Sequence, residues 1–363
     1  MPKLVVRNLR KLFGTFEAVK NVSFQVEEKE TLCLLGPSGC GKTTILRIIA
    51  GLEVPTSGEV LLDGVLVNDL PPQRRQIGLV FQDYAIFPHL SVFENIAYGL
   101  RVRKLSEAEL TRKVRETASL VDVQSILDAP TKKLGLSEMQ RVAIGRSLAL
   151  DPKLLLLDEP LSNIDAKARE RMRTELGKLQ KDIGIATVYV THDQLEAMTL
   201  ADRIAVMRDG LIEQMGTTSE IYDNPKTLFV ANFIGSPSMN LIDCELVYNR
   251  EEAVVKFGDL ALDVTELTQR IEGKGEGREL VLGVRAEDLS LDAKKTNPVA
   301  IEAEVQLAEP VGAKSIYHLK MGGVSLLAKG YGMPNIDAGS KVWATFNIDK
   351  VHLFDKKTEH AIV

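Results

Sequence analysis

Apolar and polar positions along the 363-residue chain fall into two textures. As far as about residue 239, strand-like apolar runs alternate with stretches at helical spacing. Leu4-Val5-Val6, Val22-Ser23-Phe24-Gln25-Val26 and Thr31-Leu32-Cys33-Leu34-Leu35 read as strands, with Lys11-Leu12-Phe13-Gly14 in a turn between the first two. Residues 44–50 follow at helical spacing. Residues 55–58 predict a turn, 59–64 a hairpin strand and 77–81 a buried strand. Residues 91–96 carry a capped helix start, and 106–109 open another helix that runs through Val114, Ala118, Leu120 and Val121. The stretch 91–128 is thus a helical insertion between strands. Leu154-Leu155-Leu156-Leu157 predicts a strand buried on both faces. A charged helix from about Ala166 to Asp182 and a strand over 187–191 complete this half.

From about Asn240 helical spacing nearly vanishes. Short alternating runs at 253–258, 280–284, 301–305, 316–320, 325–328 and 342–346 are separated by glycine turns. They predict a small all-β barrel domain, or two interlocked. Residues 272–278, rich in Gly, Glu and Lys, read as a flexible loop within it. No metal cluster or nucleophile–base pair stands out there, so the plain reading is an interaction or dimerisation module. The predicted division is 1–239 and 240–363.

The chemistry sits in the first half. Gly36-Pro37-Ser38-Gly39-Cys40-Gly41-Lys42-Thr43 fits the phosphate-loop pattern G-x-x-x-x-G-K-[ST] at every fixed position. A buried strand precedes it and a helix follows. Glycines let the backbone wrap an anion, so that several N–H groups point at phosphate oxygens beside a helix start. Residues 36–44, Thr44 included, form the expected ATP cradle. Lys42 supplies charge to the β- and γ-phosphates and Thr43 a hydroxyl to Mg²⁺. Cys40 is either a small spacer or a redox group.

Asp158 and Glu159 end the four-leucine strand. Paired acids at the carboxyl edge of a sheet need a counter-charge, which Mg²⁺–nucleotide supplies. Asp158 is assigned to the metal side and Glu159 to accepting a proton from attacking water. Gln82 follows another strand; it is either a ligand contact or a solvated loop residue. His192 also follows a strand; it is either structural or a partner of the γ-phosphate and its attacking water. Phe13 is either core or a platform for adenine.

Bulk properties exclude several classes. A net charge of −5 and a pI near 5.7 argue against a general nucleic-acid binder. Three scattered cysteines suit a reducing cytoplasm and give no disulfide or zinc framework. No apolar run approaches the ~18 residues of a membrane span, and the first residues lack a signal-peptide pattern. Any membrane role is expected to come through a partner.

Taken in order, the phosphate loop, Gln82, Asp158-Glu159, residues 162–165 and His192 resemble the ATP-binding-cassette ATPase over residues 4 to about 235. Residues 81–90 look like the family's Q-loop, 191–197 like its H-switch, and Phe13 falls where the family puts its adenine-stacking aromatic. Residues 232–240 and 283–289 resemble segments of maltose-type sugar-importer ATPases. In those the β-rich tail is a tandem OB-like regulatory domain.

The resemblance implies an α/β P-loop cassette with a mixed sheet core and a helical subdomain at about 88–150, then the OB-like domain. It implies a head-to-tail homodimer with two ATP sites, in which Thr43 and Gln82 ligate Mg²⁺ with Asp158 behind. It also implies two transmembrane permease subunits, an extracytoplasmic solute-binding protein, a regulatory protein at the tail and a place on the cytoplasmic face of the membrane. The expected solutes are sugars, polyols or sugar phosphates. The alternatives are another solute (polyamine, iron or sulfate), a non-transport cassette protein, or a nucleic-acid-binding OB protein with an incidental ATPase.

One segment departs from the family. Where the Leu-Ser-Gly-Gly-Gln/Glu signature is expected, the chain has Leu134-Gly135-Leu136-Ser137-Glu138. Either Gly135, Leu136 and Ser137 replace Ser-Gly-Gly, or Leu136-Ser137 is the motif's own Leu-Ser with both glycines deleted. In the family this segment and Asp165 act on the ATP held by the opposite subunit. The expectation is intact ATP binding with impaired dimer closure and turnover.

Overall fold

The computed structural model describes residues 2–162, 164–249, 252–271, 279–331 and 336–363. Asn163 and the loop expected over 272–278 lie outside the described residues. The chain divides into two compact units, 1–218 and 219–363.

The first unit holds two sheets. Strands β1 (Leu4–Phe13), β2 (Phe16–Val26), β4 (Ser57–Leu62) and β5 (Val65–Leu66) make an antiparallel sheet in the order β2-β1-β4-β5. Here the expected turn at 11–14 is corrected. Residues 11–13 continue β1, and the reversal falls at Gly14 and Thr15. Register shifts at Val6/Leu9, Leu9/Lys11 and Lys11/Leu12 break the alternation that would have marked the strand.

The second sheet positions the site. Strands β3 (Thr31–Leu35), β6 (Ile77–Val80), β7 (Leu154–Asp158), β8 (Thr187–Thr191), β9 (Arg203–Arg208) and β10 (Leu211–Gly216) lie in the order β10-β9-β3-β8-β7-β6. All neighbours are parallel except β10 with β9. β3 and β8 are buried throughout, as is β7 up to its last residue, which is what continuous apolar runs demand of a sheet covered on both faces.

Helices α1 (Lys42–Ala50), α2 (Val92–Val102), α3 (Glu107–Leu120), α4 (Leu136–Leu148), α5 (Ala166–Ile183) and α6 (Gln194–Leu200) fill the connections. Ser91 and Ser106 cap α2 and α3 through Glu94 and Glu109 N–H, as their sequence signals predict. The helical insertion extends beyond 128 through α4, which packs on α2.

The second unit begins with two short helices, α7 (Thr218–Asp223) and α8 (Leu228–Phe233). Strands β11 (Asn240–Asn249), β12 (Glu252–Phe257), β13 (Leu260–Asp263) and β14 (Glu279–Val284) follow, with a short helix α9 (Thr268–Ile271). Then come β15 (Leu289–Asp292), β16 (Ile301–Val311), β17 (Lys314–Met321), β18 (Val324–Tyr331), β19 (Lys341–Phe346) and β20 (His352–Asp355). They form two antiparallel five-stranded sheets, β13-β12-β11-β14-β20 and β15-β19-β16-β17-β18, around one apolar core. Buried Asn240 ties the sheets together: its amide donates to Val284 and Leu327 carbonyls and accepts from Leu327 N–H. The expected all-β domain is this pair of sheets.

Candidate functional site

Four neighbouring strands deliver the site residues. In sheet order β3, β8, β7 and β6, the segments that leave the carboxyl ends are the phosphate loop, His192, Glu159 and Gln82. Leu35 pairs with Thr191, Asp158 with Val190 and Val80 with Leu157, so these ends are nearly level. Adjacent strands lie about 4.8 Å apart, so the four ends span about 14 Å. Ligands bind in α/β sheets at this edge.

The loop's residue types follow from its packing. Gly41 has φ +103°, and a Cβ there would meet the Ala18 carbonyl oxygen at 2.5 Å. A Cβ on Gly36 would come within 2.3 Å of the Met207 carbonyl oxygen. Only glycine fits either place. Lys42 is buried, and its ammonium donates to the carbonyls of Gly36 at 2.8 Å and Pro37 at 2.9 Å. Cys40 Sγ lies 3.7 Å from it. Two of the three ammonium donors go to carbonyls and the third to the weak sulfur acceptor, so a phosphate need displace only the Cys40 contact. Burial pushes the Cys40 thiol up, against the pull of Lys42, which favours the spacer reading over a redox group.

Thr43 and Thr44 lie in the first turn of α1, and Thr43 Oγ1 donates to Asp158 Oδ1 at 3.2 Å. This joins the two strongest motifs of the sequence across 115 positions. Burial raises Asp158, the Thr43 hydrogen bond opposes this, and the neighbouring Glu159 charge adds to it. Burial thus disfavours the bare carboxylate, a cost that a proton or a bound cation relieves. Among the described residues no three His, Cys, Asp or Glu converge as a metal site. The donor set present, one hydroxyl and one carboxylate, fits Mg²⁺ shared with phosphate oxygens.

Glu159 has φ +46°, a strained conformation for a non-glycine residue. Its N–H donates to Val190 O at 2.9 Å, which anchors the turn. Its Oε2 lies 3.1 Å from His192 Nδ1, with His192 half exposed. Gln82 is placed differently: Nε2 donates to Ser162 Oγ at 2.9 Å, and Ser162 Oγ donates to the Glu159 carbonyl at 3.0 Å.

The remaining residues stand apart. Phe13 is 47% exposed, so the core reading is corrected; among the described residues its ring contact is with Lys11 Nζ, 4.8 Å from the centroid. Asp165 caps α5 through Ala168 N–H at 3.1 Å. Gly135 caps α4 and its N–H donates to Glu138 Oε2 at 2.8 Å, but glycine has no side chain to return a bond. Leu136 starts α4 and is 39% exposed. Ser137 turns its hydroxyl to Glu175 at 2.8 Å. So Gly135, not Ser137, holds the position of the cap, as the replacement alignment has it. No hydrogen bond among the described residues links 135–137 to the phosphate loop.

Sequence reasoning missed the residues that hold these segments in place. Asn95 is fully buried and clamps both backbone groups of Phe87. Arg146 donates to Ala85 and Tyr84 carbonyls, at 2.6 and 3.2 Å, where Tyr84 and Ala85 both have positive φ. Buried Glu196 accepts from Tyr189 and Thr191 hydroxyls, each at 2.8 Å, and braces the chain on both sides of His192. The available signal at Asn95 and Glu196 was a polar residue on the buried side of a short helix; Arg146 carried none.

The sequence matches the ABC transporter family over residues 19–162, the MalK OB fold domain over 235–289 and the TOBE domain over 282–354. It is 43% identical to the trehalose/maltose import ATP-binding protein MalK of Thermococcus litoralis, across 97% of each chain. It is 42% identical to the multiple sugar-binding transport ATP-binding protein MsmK of Streptococcus mutans, across 95% of each. With the sn-glycerol-3-phosphate import ATP-binding protein UgpC of Ruegeria pomeroyi it shares 42% identity, over 99% of this chain and 98% of that one. Among solved structures, cbiO1 of Clostridium perfringens, part of the ABC transporter complex cbiONQ, superposes with a TM-score of 0.56 at 29% identity. That match covers 61% of this chain and 90% of that one. The chain belongs to the ABC transporter family, as an ATP-hydrolysing subunit of the sugar-importer type with a C-terminal OB/TOBE region.

Proposed function

We propose that two copies of this chain, head to tail, clasp two ATP molecules and drive the import of a sugar, polyol or sugar phosphate. One observation carries the reading: Thr43, Asp158, Glu159 and His192 converge at adjoining strand ends beside the phosphate loop. Lys42 and the loop amides hold the phosphates, and Phe13 stacks on the base. Mg²⁺ beside Thr43 and Asp158 neutralises charge on the β- and γ-phosphates when bound. Gln82 joins that set if its amide leaves Ser162. Glu159 accepts the proton of the attacking water. His192, with Nδ1 at Glu159, has Nε2 to give to the γ-phosphate.

Asp165 and residues 135–137 act on the ATP of the other copy, and the altered 135–137 segment slows closure and turnover. The functional boundary lies near residue 240, close to where the OB match begins. The OB/TOBE region takes a regulatory partner. Among the described residues no helix is long and apolar enough to cross a membrane. Two permease subunits therefore hold the protein at the cytoplasmic face, and a solute-binding protein feeds them. Movement passes to the permeases through residues 81–90 and the helices of 91–128.

The test is co-purification with the permease subunits, then a screen for solutes that stimulate ATP hydrolysis. Stimulation by a sugar, polyol or sugar phosphate is expected. Stimulation only by a polyamine, iron or sulfate would overturn the solute assignment.

A further inference from the structure

Phe13 ends β1 in a hairpin whose turn is only Gly14 and Thr15, and nearly half of it faces solvent. An exposed ring at such a place flips between rotamers within nanoseconds unless a neighbour holds it. Lys11, two residues back, lies on the same face of the strand. Its ammonium sits over the Phe13 ring, 4.8 Å from the centroid.

Lys11 is itself fixed. Its side chain is only 11% exposed, unlike an ordinary surface lysine. Nζ donates to Glu53 Oε1 at 2.6 Å and to the Val54 carbonyl at 2.7 Å. The cation is therefore held against the ring by two acceptors that belong to another segment.

That segment is an extension of the phosphate site. Residues 51–56 follow α1, which begins at Lys42 and spans about 13 Å. Leu52 and Glu53 N–H both donate to the Arg47 carbonyl, at 2.9 and 3.3 Å. Buried Arg75 donates to the Ile48 and Ile49 carbonyls, at 2.7 and 2.9 Å, and fixes the end of the helix. Thr56 then grips β1 on both sides of Lys11: its N–H donates to the Arg10 carbonyl at 2.8 Å, and its Oγ1 accepts Leu12 N–H at 2.9 Å. On β2 the pairing skips Ala18, whose carbonyl lies against Gly41 of the phosphate loop. Bulges of this kind re-aim side chains beside binding sites. The ring and the phosphate grip are thus joined through one hydrogen-bonded frame.

We propose that Lys11 is a positioning residue for the nucleotide base: it covers one face of Phe13, fixes the ring's rotamer and leaves the opposite face as the stacking surface. This rests on the proposed stacking of the base on Phe13. A ring held in advance loses less freedom when the base arrives, so affinity rises by preorganisation and without contact between Lys11 and the nucleotide.

The test compares two probes by titration calorimetry on the full chain with Mg²⁺. One is a non-hydrolysable ATP analogue; the other is inorganic tripolyphosphate, which offers the phosphate loop no base. Phe13→Ala should weaken the analogue about tenfold and leave tripolyphosphate unchanged. Lys11→Met keeps a long stem but removes the cation. It should weaken the analogue about threefold and likewise spare tripolyphosphate. Lys11→Arg should recover most of that loss, because a guanidinium also stacks on aromatic faces. Added to Phe13→Ala, Lys11→Met should cost nothing more, since the two act as a unit. Equal weakening of both probes by Lys11→Met would make the lysine a general support of the fold and overturn the proposal. If Phe13→Ala itself leaves the analogue unaffected, the stacking reading fails and the role of Lys11 with it. If Phe13→Ala weakens the analogue and Lys11→Met does not, stacking stands and the role of Lys11 alone falls.

Discussion

His192 Nδ1 lies 3.1 Å from Glu159 Oε2, and each residue directly follows the last residue of one of two paired parallel strands. The backbone makes this contact at some cost, because Glu159 takes a left-handed conformation. Strain of this kind persists where the surroundings over-determine it, and here the Val190 carbonyl holds the Glu159 amide. Glu159→Gln keeps the shape and a polar atom facing His192 but cannot accept a proton. Hydrolysis should fall by about 10²–10³-fold while ATP binding survives. Light scattering should then find a stable dimer under ATP; a monomer would count against the proposed closed state.

Lys42→Ala has two separable effects. It removes the charge meant for the phosphates, so ATP affinity should fall by about 10–100-fold. It also strips the carbonyls of buried Gly36 and exposed Pro37 of the Lys42 ammonium. The nucleotide-free protein should therefore melt earlier, by an amount matching roughly 1–2 kcal/mol. Nucleotide titration and calorimetry read the two apart. Retention of full affinity and hydrolysis would refute the proposed phosphate grip.

Much of the cassette was legible because its chemistry admits few residue types. The phosphate loop, the four-leucine strand and the acids after it need particular side chains at fixed spacing, and the Thr43–Asp158 bond confirms that they share one place. Continuous burial marked β3, β7 and β8 as apolar runs. What escaped was set by long-range partners. Arg146 meets Ala85 across 61 positions, and nothing near either residue announces it. Residues 11–13 looked like a turn because the shifted registers of β1 disturb its alternation. The order of six strands in the sheet also depends on pairings that local pattern does not encode.

The signature segment separates stability from function. Gly135 already serves as the cap of α4, and serine in its place should change stability by only a few tenths of a kcal/mol. Ser137 bonds Glu175, but Arg141 also holds that carboxylate at 3.2 Å, so glycine at 137 is tolerated. The triple change Gly135→Ser, Leu136→Gly, Ser137→Gly restores the family's Ser-Gly-Gly and removes the exposed leucine at the helix start. ATP turnover should rise by about tenfold or more if donors facing the γ-phosphate are regained, with the melting temperature nearly unmoved. Unchanged turnover would refute the assigned defect.

Glu196 offers a test by pH. Burial raises its carboxyl above the ordinary value of 4.5, and Asp193 adds to this; the Thr191 and Tyr189 hydroxyls and then Arg169 oppose it. Burial raises the neighbouring Cys33, Tyr84 and Tyr189, and the Glu196 charge adds to each. Between 4.5 and its raised folded value, the folded chain binds more protons at this site than the unfolded chain. Stability must then fall as pH rises through that window, and the loss is complete above it. Each pH unit of displacement corresponds to about 1.4 kcal/mol. Glu196→Gln does not titrate, and its amide oxygen can accept both hydroxyls. The variant's stability relative to the parent should therefore climb with pH and level off, as read by calorimetric melts at about pH 5 and about pH 8. A relative loss on raising the pH would mean that Arg169 and the hydroxyls outweigh burial and hold the group ionised.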